Sequence, residues 1–163
     1  MKTKVYHTLG PCYNSESKIL ILGSFPSVIS REVNFYYGNK QNRFWKMLEA
    51  IYGYSCGNTI EEKKSFILKN HLALWDVIES CKIDGSKDSS IEDIKINDIN
   101  SLVKLANIKA IILNGNKAFE LYKKYIDIPN IEYYHLPSTS PANARSSFTD
   151  LVNEYSSYLK RNF

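Results

Sequence analysis

The chain is poor in cysteine, and the few it has are badly placed for metal or disulfide chemistry. Cys12, Cys56 and Cys81 are odd in number and widely spaced, and no CxxC pair exists. That argues against a disulfide framework, a zinc site and an iron–sulfur cluster. The three histidines, His7, His71 and His135, show no metal-ligand spacing either. There is no Gly-rich phosphate loop of the Walker or dinucleotide type and no G-x-S-x-G elbow, so Ser24 and Ser27 lack the setting of a hydrolase nucleophile. No apolar run approaches membrane-spanning length and no N-terminal leader pattern is present, so the expectation is a reduced, cytoplasmic protein without membrane contact. Internal repeats, low-complexity tracts and Pro/Gly/Ser-rich linkers are also missing, and 163 residues favour one domain over 1–163. With no obvious apolar interface stripe, a monomer is expected.

What the chain has in quantity is aromatic residues. Twelve Tyr, seven Phe and two Trp make 13% of it. Tyrosine can stack on a base and hydrogen-bond at a wet edge, although tyrosines also line core boundaries. The net charge of +4 is mild; it permits a nucleic-acid partner without demanding one.

Short apolar runs alternate with helical stretches. KILILG (Lys18–Gly23), HLALWDVI, IKAIILNG (Ile108–Gly115) and IEYYHLPSTS each read as containing a strand. RFWKMLEAIYG puts Phe44, Met47, Leu48 and Ile51 on one helical face and stops at Gly53. Thr59 stands three residues before Glu62, the spacing of a capping box. NKAFELYKKYID reads as a helix, and Phe148, Leu151, Val152, Tyr155 and Leu159 form the stripe of a last one. Such alternation predicts a parallel α/β sheet with helices on both faces. Ligands of open parallel sheets sit beyond the carboxyl ends of the strands. The segments that follow those ends are GSFPS, WDVIESC, NGN and LPSTSPANAR, and topology predicts that they converge on one cleft. It would hold amides (Asn42, Asn114, Asn143), ring faces (Phe25, Tyr36, Tyr37) and backbone donors after Gly23 and Pro137. His135, at the end of the fourth strand, is within reach of it. A polar and aromatic pocket of this kind suits a flat heterocycle.

In order along the chain, ILGSFPS, FYYGNKQNRFW, LWDVIESCKIDGSKDSSI, ILNGNKA and LPSTSPANA resemble the hypoxanthine-DNA (deoxyinosine) glycosylases of the uracil-DNA glycosylase superfamily. NRFW and the general layout are also similar to its mismatch-specific uracil/thymine glycosylases. The resemblance implies a three-layer α/β sandwich with a central four-stranded parallel sheet flanked by helices. It further implies monofunctional hydrolysis of the N-glycosidic bond of a deaminated base in double-stranded DNA, with no cofactor and no metal. Gly23, Ser24, Phe25 and Pro26 would form the floor of the base pocket, Tyr36 and Tyr37 its wall, and Asn114 would also bind the base. Mismatch-specific relatives carry a water-positioning Asn, and other branches an Asp, where this chain has Phe25, which cannot orient water. The resemblance therefore moves that role to Asn42, with Asp76 as the alternative. Asp76 either faces the pocket or ties down the SCKIDGSKDSS loop. Ser138, Ser140, Pro141, Asn143 and Arg145 would meet the DNA, with Pro141–Asn143 where relatives push a wedge into the base stack. Arg31, Lys40, Arg43 and Arg145 are either solvated or phosphate contacts. Three other functions compete: a uracil/mismatch-specific glycosylase, a free-nucleoside N-glycosidase, and a non-catalytic damaged-DNA binding module. The nucleoside enzyme would want carboxylates gripping the sugar, and the cleft segments look short of them.

Overall fold

The structure is a computed structural model that describes residues 2–161. In chain order its elements are β1 (Thr3–Tyr6), β2 (Ile19–Gly23), α1 (Val28–Val33), α2 (Phe44–Tyr52), α3 (Ile60–Lys69), β3 (Leu72–Asp76), β4 (Ile78–Ile83), β5 (Glu92–Ile96), α4 (Ile99–Leu105), β6 (Ala110–Asn114), α5 (Asn116–Tyr125), β7 (Glu132–Leu136) and α6 (Phe148–Leu159).

The apolar runs make a four-stranded sheet in the order β3-β2-β6-β7, with every neighbouring pair parallel. Ile19 pairs with Leu72 on one side and Ala110 on the other. A strand covered on both faces must be apolar on both, and β2 and β6 are buried at every residue. Side chains alternate between the faces. Ile19, Ile21, Leu72 and Leu74 pack with Phe44, Met47 and Leu48 of α2, Phe66 and Ile67 of α3, and Leu151 and Tyr155 of α6. Leu20, Leu22, Ile111 and Leu113 pack with Ile99 and Leu102 of α4 and Ala118 and Leu121 of α5. The expected three-layer α/β sandwich is therefore present.

Local signals set the helix ends. Thr59 and Glu62 form the expected capping box. Gly53 closes α2 at φ +82, a left-handed conformation that glycine takes without steric cost. Ser147 and Asp150 form a second capping box on α6. The α6 stripe is narrower than the sequence pattern: Leu151, Tyr155 and Leu159 are buried, but Phe148 is 40% exposed.

One expected strand divides in two. HLALWDVI leaves the parallel sheet at Asp76, and from Ile78 the chain enters a separate antiparallel sheet of order β1-β4-β5. Thr3 pairs with Ile83 and Tyr6 with Ser80. Between the sheets, Val77 and Ile78 donate their N–H groups to the carbonyls of Gly23 and Ser24. A continuous apolar run carries no mark of where a strand leaves its sheet.

Candidate active site

The carboxyl ends of the four parallel strands open into a cleft of about 620 Å³. Its floor is Gly23, at the end of β2. A Cβ there would stand 2.5 Å from Asp76 Oδ1 and 3.4 Å from the Tyr37 hydroxyl. Gly23 and Asp76 are register partners, and the missing side chain of one makes room for the carboxylate of the other. Asp76 Oδ2 lies 2.8 Å from His7 Nε2, and the two side chains are 1% (His7) and 5% (Asp76) exposed. The His7 ring stands edge-on to Phe25, centroids 5.9 Å apart, and 6.0 Å from Tyr36.

The wall is aromatic. Tyr37 stacks on Phe44 with centroids 3.9 Å apart and an angle of 20°. Its φ is +53, a conformation that costs a bulky residue on the order of 1–3 kcal/mol and persists only where the surrounding structure holds it. The Asn114 amide donates to the Tyr37 hydroxyl at 3.4 Å. Tyr36 turns its hydroxyl away, onto the Gly10 carbonyl at 2.9 Å. Burial, and then the charge of Asp76, hold both phenols well above their ordinary range. They stay neutral at any physiological pH.

Two loops close the rim. Ser24 donates to Asp88 Oδ1 at 3.0 Å, on the loop between β4 and β5. Asp88 is open to the cleft on one side and enclosed by protein on others, and that partial burial pushes its carboxyl up from the ordinary range. The same loop is strapped to α1, with Ser86 Oγ accepting from the Val28 N–H and the Gly85 carbonyl accepting from Arg31. The loop after β7 is fixed twice. Asn114 donates to Thr139 Oγ1 and accepts from its N–H, both at 3.1 Å. Arg43 donates to the carbonyls of Ser140, Asn143 and Ser146 at 3.1, 2.9 and 2.6 Å. At the start of α2, Asn42 lines the cleft and its Oδ1 accepts from the Phe44 N–H at 3.0 Å. The backbone donor fixes which end of that amide is oxygen.

The Uracil DNA glycosylase superfamily profile matches residues 11–160. The chain belongs to that superfamily. It is similar to a protein of Methanosarcina acetivorans named hypoxanthine DNA glycosylase, with 39% identity over 82% of this chain and 85% of that one. A protein of the same name from Methanosarcina barkeri is 36% identical over 83% of this chain and 87% of its own length. The solution NMR structure of a candidate uracil DNA glycosylase from Methanosarcina acetivorans superposes with a TM-score of 0.81 at 33% identity, covering 93% of this chain and 94% of that one.

In this superfamily member, Gly23, Ser24, Phe25, Pro26, Tyr36, Tyr37, Asn42, Asp76 and Asn114 all line one cleft, with Ser138, Ser140 and Pro141 along its edge. The convergence drawn from topology is what the structure has. Asn143 and Arg145 stand outside the lining. Asn143 is turned inward, donating to the Ser138 carbonyl and accepting from the Arg145 N–H.

Several expectations need correction. Arg43 is neither solvated nor a phosphate contact: its guanidinium ties loop carbonyls. Arg31 is likewise engaged, with Gly85 and Ser27. Asp76 does not tie down the SCKIDGSKDSS loop through its side chain; the Ser24–Asp88 bond does. His135 does not line the cleft; it is stacked on Phe119 at 4.2 Å and bonded to Asn116. The cleft is not short of carboxylates, since Asp76 and Asp88 both line it. Sequence reasoning missed His7, Asp88 and Thr139. Asp88 lay inside a motif already marked, but nothing local distinguished His7.

Proposed function

We propose that this protein is a monofunctional DNA glycosylase that hydrolyses the N-glycosidic bond of deoxyinosine and releases hypoxanthine from double-stranded DNA. The observation that carries this reading is the cleft over Gly23, where the Asp76 carboxylate, the neutral Tyr37 phenol and the Asn114 amide meet at the ends of the parallel strands. The names of the two Methanosarcina relatives support hypoxanthine as the base. The protein acts as a cytoplasmic monomer and needs no cofactor.

The target nucleotide is extruded from the duplex, at a cost of a few kcal/mol that is smallest for a mispaired base. The base enters against Phe25 and Tyr37. Bond breaking leaves positive charge on the sugar and negative charge on the departing base. Asn42 Oδ1 holds the start of α2, so Nδ2 is the end that meets the base, and it donates to the developing negative charge. One such donor is worth roughly 3–4 kcal/mol of barrier. Asp76 Oδ1, over Gly23, is the acceptor. It favours the cationic sugar and orients the attacking water, whose oxygen bonds to the anomeric carbon. One water proton passes through Asp76 to solvent, and the base anion takes up a proton as it leaves. Ser138, Ser140 and Pro141 form the DNA-facing edge, Asn143 braces their loop from within, and the Arg145 side chain is the one placed to meet a phosphate.

The test is single-turnover base release from duplexes carrying one hypoxanthine or one uracil, with free deoxyinosine in parallel, using wild type, Asn42→Ala and Asp76→Asn. Hypoxanthine release that collapses in both variants supports the assignment. Uracil released faster than hypoxanthine moves the substrate to the mismatch-specific class. Release from free deoxyinosine at the duplex rate, which the second carboxylate at Asp88 makes a real alternative, defines a nucleoside hydrolase. Duplex binding with no release of either base defines a binding module.

A further inference from the structure

His7 does not line the cleft, yet it touches the floor from behind. Its ring is enclosed by Asp76, Phe25 and Tyr36, three residues that do line it. Its imidazole holds one carboxylate oxygen of Asp76, Oδ2, at 2.8 Å. The other oxygen, Oδ1, accepts no hydrogen bond from the described residues and stands over Gly23. A carboxylate torsion is broad and roughly two-fold, so an unheld Asp76 could turn either edge toward the pocket. A buried carboxylate also needs donors to be tolerated. His7 supplies one donor on the oxygen that faces away from the pocket, and so leaves the pocket-facing oxygen unoccupied.

The antiparallel sheet accounts for how His7 gets there. β1 pairs with β4, which begins two residues after Asp76, and the His7 N–H extends the pairing onto the Glu79 carbonyl at 2.6 Å. Thr3, Lys4 and Tyr6 of β1 are exposed, so the strand buries little on its own account. The fully enclosed side chain next to it is His7.

We propose that His7 is a positioning residue: it fixes the Asp76 carboxylate with Oδ1 turned into the base pocket, and thereby sets the rate of the chemical step without touching DNA or base. This rests on the excision reading above.

The experiment is a set of substitutions at His7 read by three measurements: single-turnover hypoxanthine release, affinity for the same duplex, and thermal melting. His7→Gln keeps an amide donor near the position of Nε2, and His7→Leu keeps volume without a donor. Release should slow by about 30–100-fold in His7→Leu, the scale expected of a misplaced catalytic group. Duplex affinity should change less than about threefold, because a loss confined to the chemical step leaves ground-state binding alone. His7→Gln should recover most of the rate. In an Asp76→Asn background, His7→Leu should cost less than about twofold more, because residues acting through one another are not additive. Equal rates for the Gln and Leu variants overturn the proposal even where both melt early, as does an undiminished His7→Leu effect in the Asp76→Asn background. Wild-type protein that binds the duplex but releases no hypoxanthine overturns the excision reading, and this proposal with it. Wild-type release with unaffected His7 variants overturns this proposal alone.

Discussion

Asn114 and Thr139 hold each other through two hydrogen bonds, Nδ2 to Oγ1 and N–H to Oδ1, both 3.1 Å long. The pair joins the end of β6 to the loop that follows β7, and Thr139 is 1% exposed. Truncating Asn114 leaves the Thr139 N–H buried without an acceptor, a loss of about 1–3 kcal/mol. An Asn114→Ala protein should therefore melt roughly 2–12 °C lower than wild type. An unchanged melting temperature by calorimetry would show that water replaces the amide.

Arg43 and Arg145 should behave as opposites in salt titrations of DNA binding. Arg43 is committed to the carbonyls of Ser140, Asn143 and Ser146, so Arg43→Ala should lower stability and leave the salt slope alone. Among the described residues, Arg145 bonds only through its backbone N–H, to Asn143. If its side chain meets a phosphate, Arg145→Ala should reduce the slope of log affinity against log salt by about one. A reduced slope for the Arg43 variant would mean that the loop, once released, drags other phosphate contacts with it.

Gly23 has little room for any side chain. A methyl there meets Asp76 Oδ1 at 2.5 Å, and Asp76 cannot retreat without losing His7. Gly23→Ala should slow base release by roughly 100-fold, the effect of a displacement near 1 Å in a reacting group. Single-turnover kinetics at saturating protein would read this. Wild-type kinetics would mean that the carboxylate moves freely.

Asp88 gives a pH signature. Partial burial raises its carboxyl above the ordinary 3.8, so the folded state holds that proton more tightly than the unfolded chain does. The stabilisation from the protonated form is complete below the unfolded value and is lost as pH rises through the raised folded one. Asp88→Asn keeps an acceptor for Ser24 and removes the titration. Its melting temperature relative to wild type should climb as pH goes from acid toward neutral. A flat difference would show that the Ser24 hydroxyl compensates fully for burial.

The parallel sheet was legible because its causes are local. Ile19–Leu22 and Ile111–Leu113 are apolar on both faces, and Thr59–Glu62 and Gly53 punctuate the helices. The cleft was legible one step further on, because the ends of parallel strands must lie on one side of the sheet. What was not legible depends on contacts far apart in the chain. Thr3, Val5 and Tyr6 are strand formers, but four residues with little burial do not make a strand until β4 lies beside them. His7 matters because Asp76 lies 2.8 Å away, at a separation of 69 residues. Arg43 reads as a surface cation until the loop carbonyls around it are known.

The long reach between His7 and Asp76 has a consequence for synthesis. A ribosome adds about 5–20 residues per second, so His7 leaves it several seconds before the carboxylate it is to hold. In that interval β1 has no partner, and a lone strand has no independent stability. A nascent chain stalled before Ile83 would already carry the whole GSFPS segment, but behind a floor that β1 and β4 have yet to fasten together.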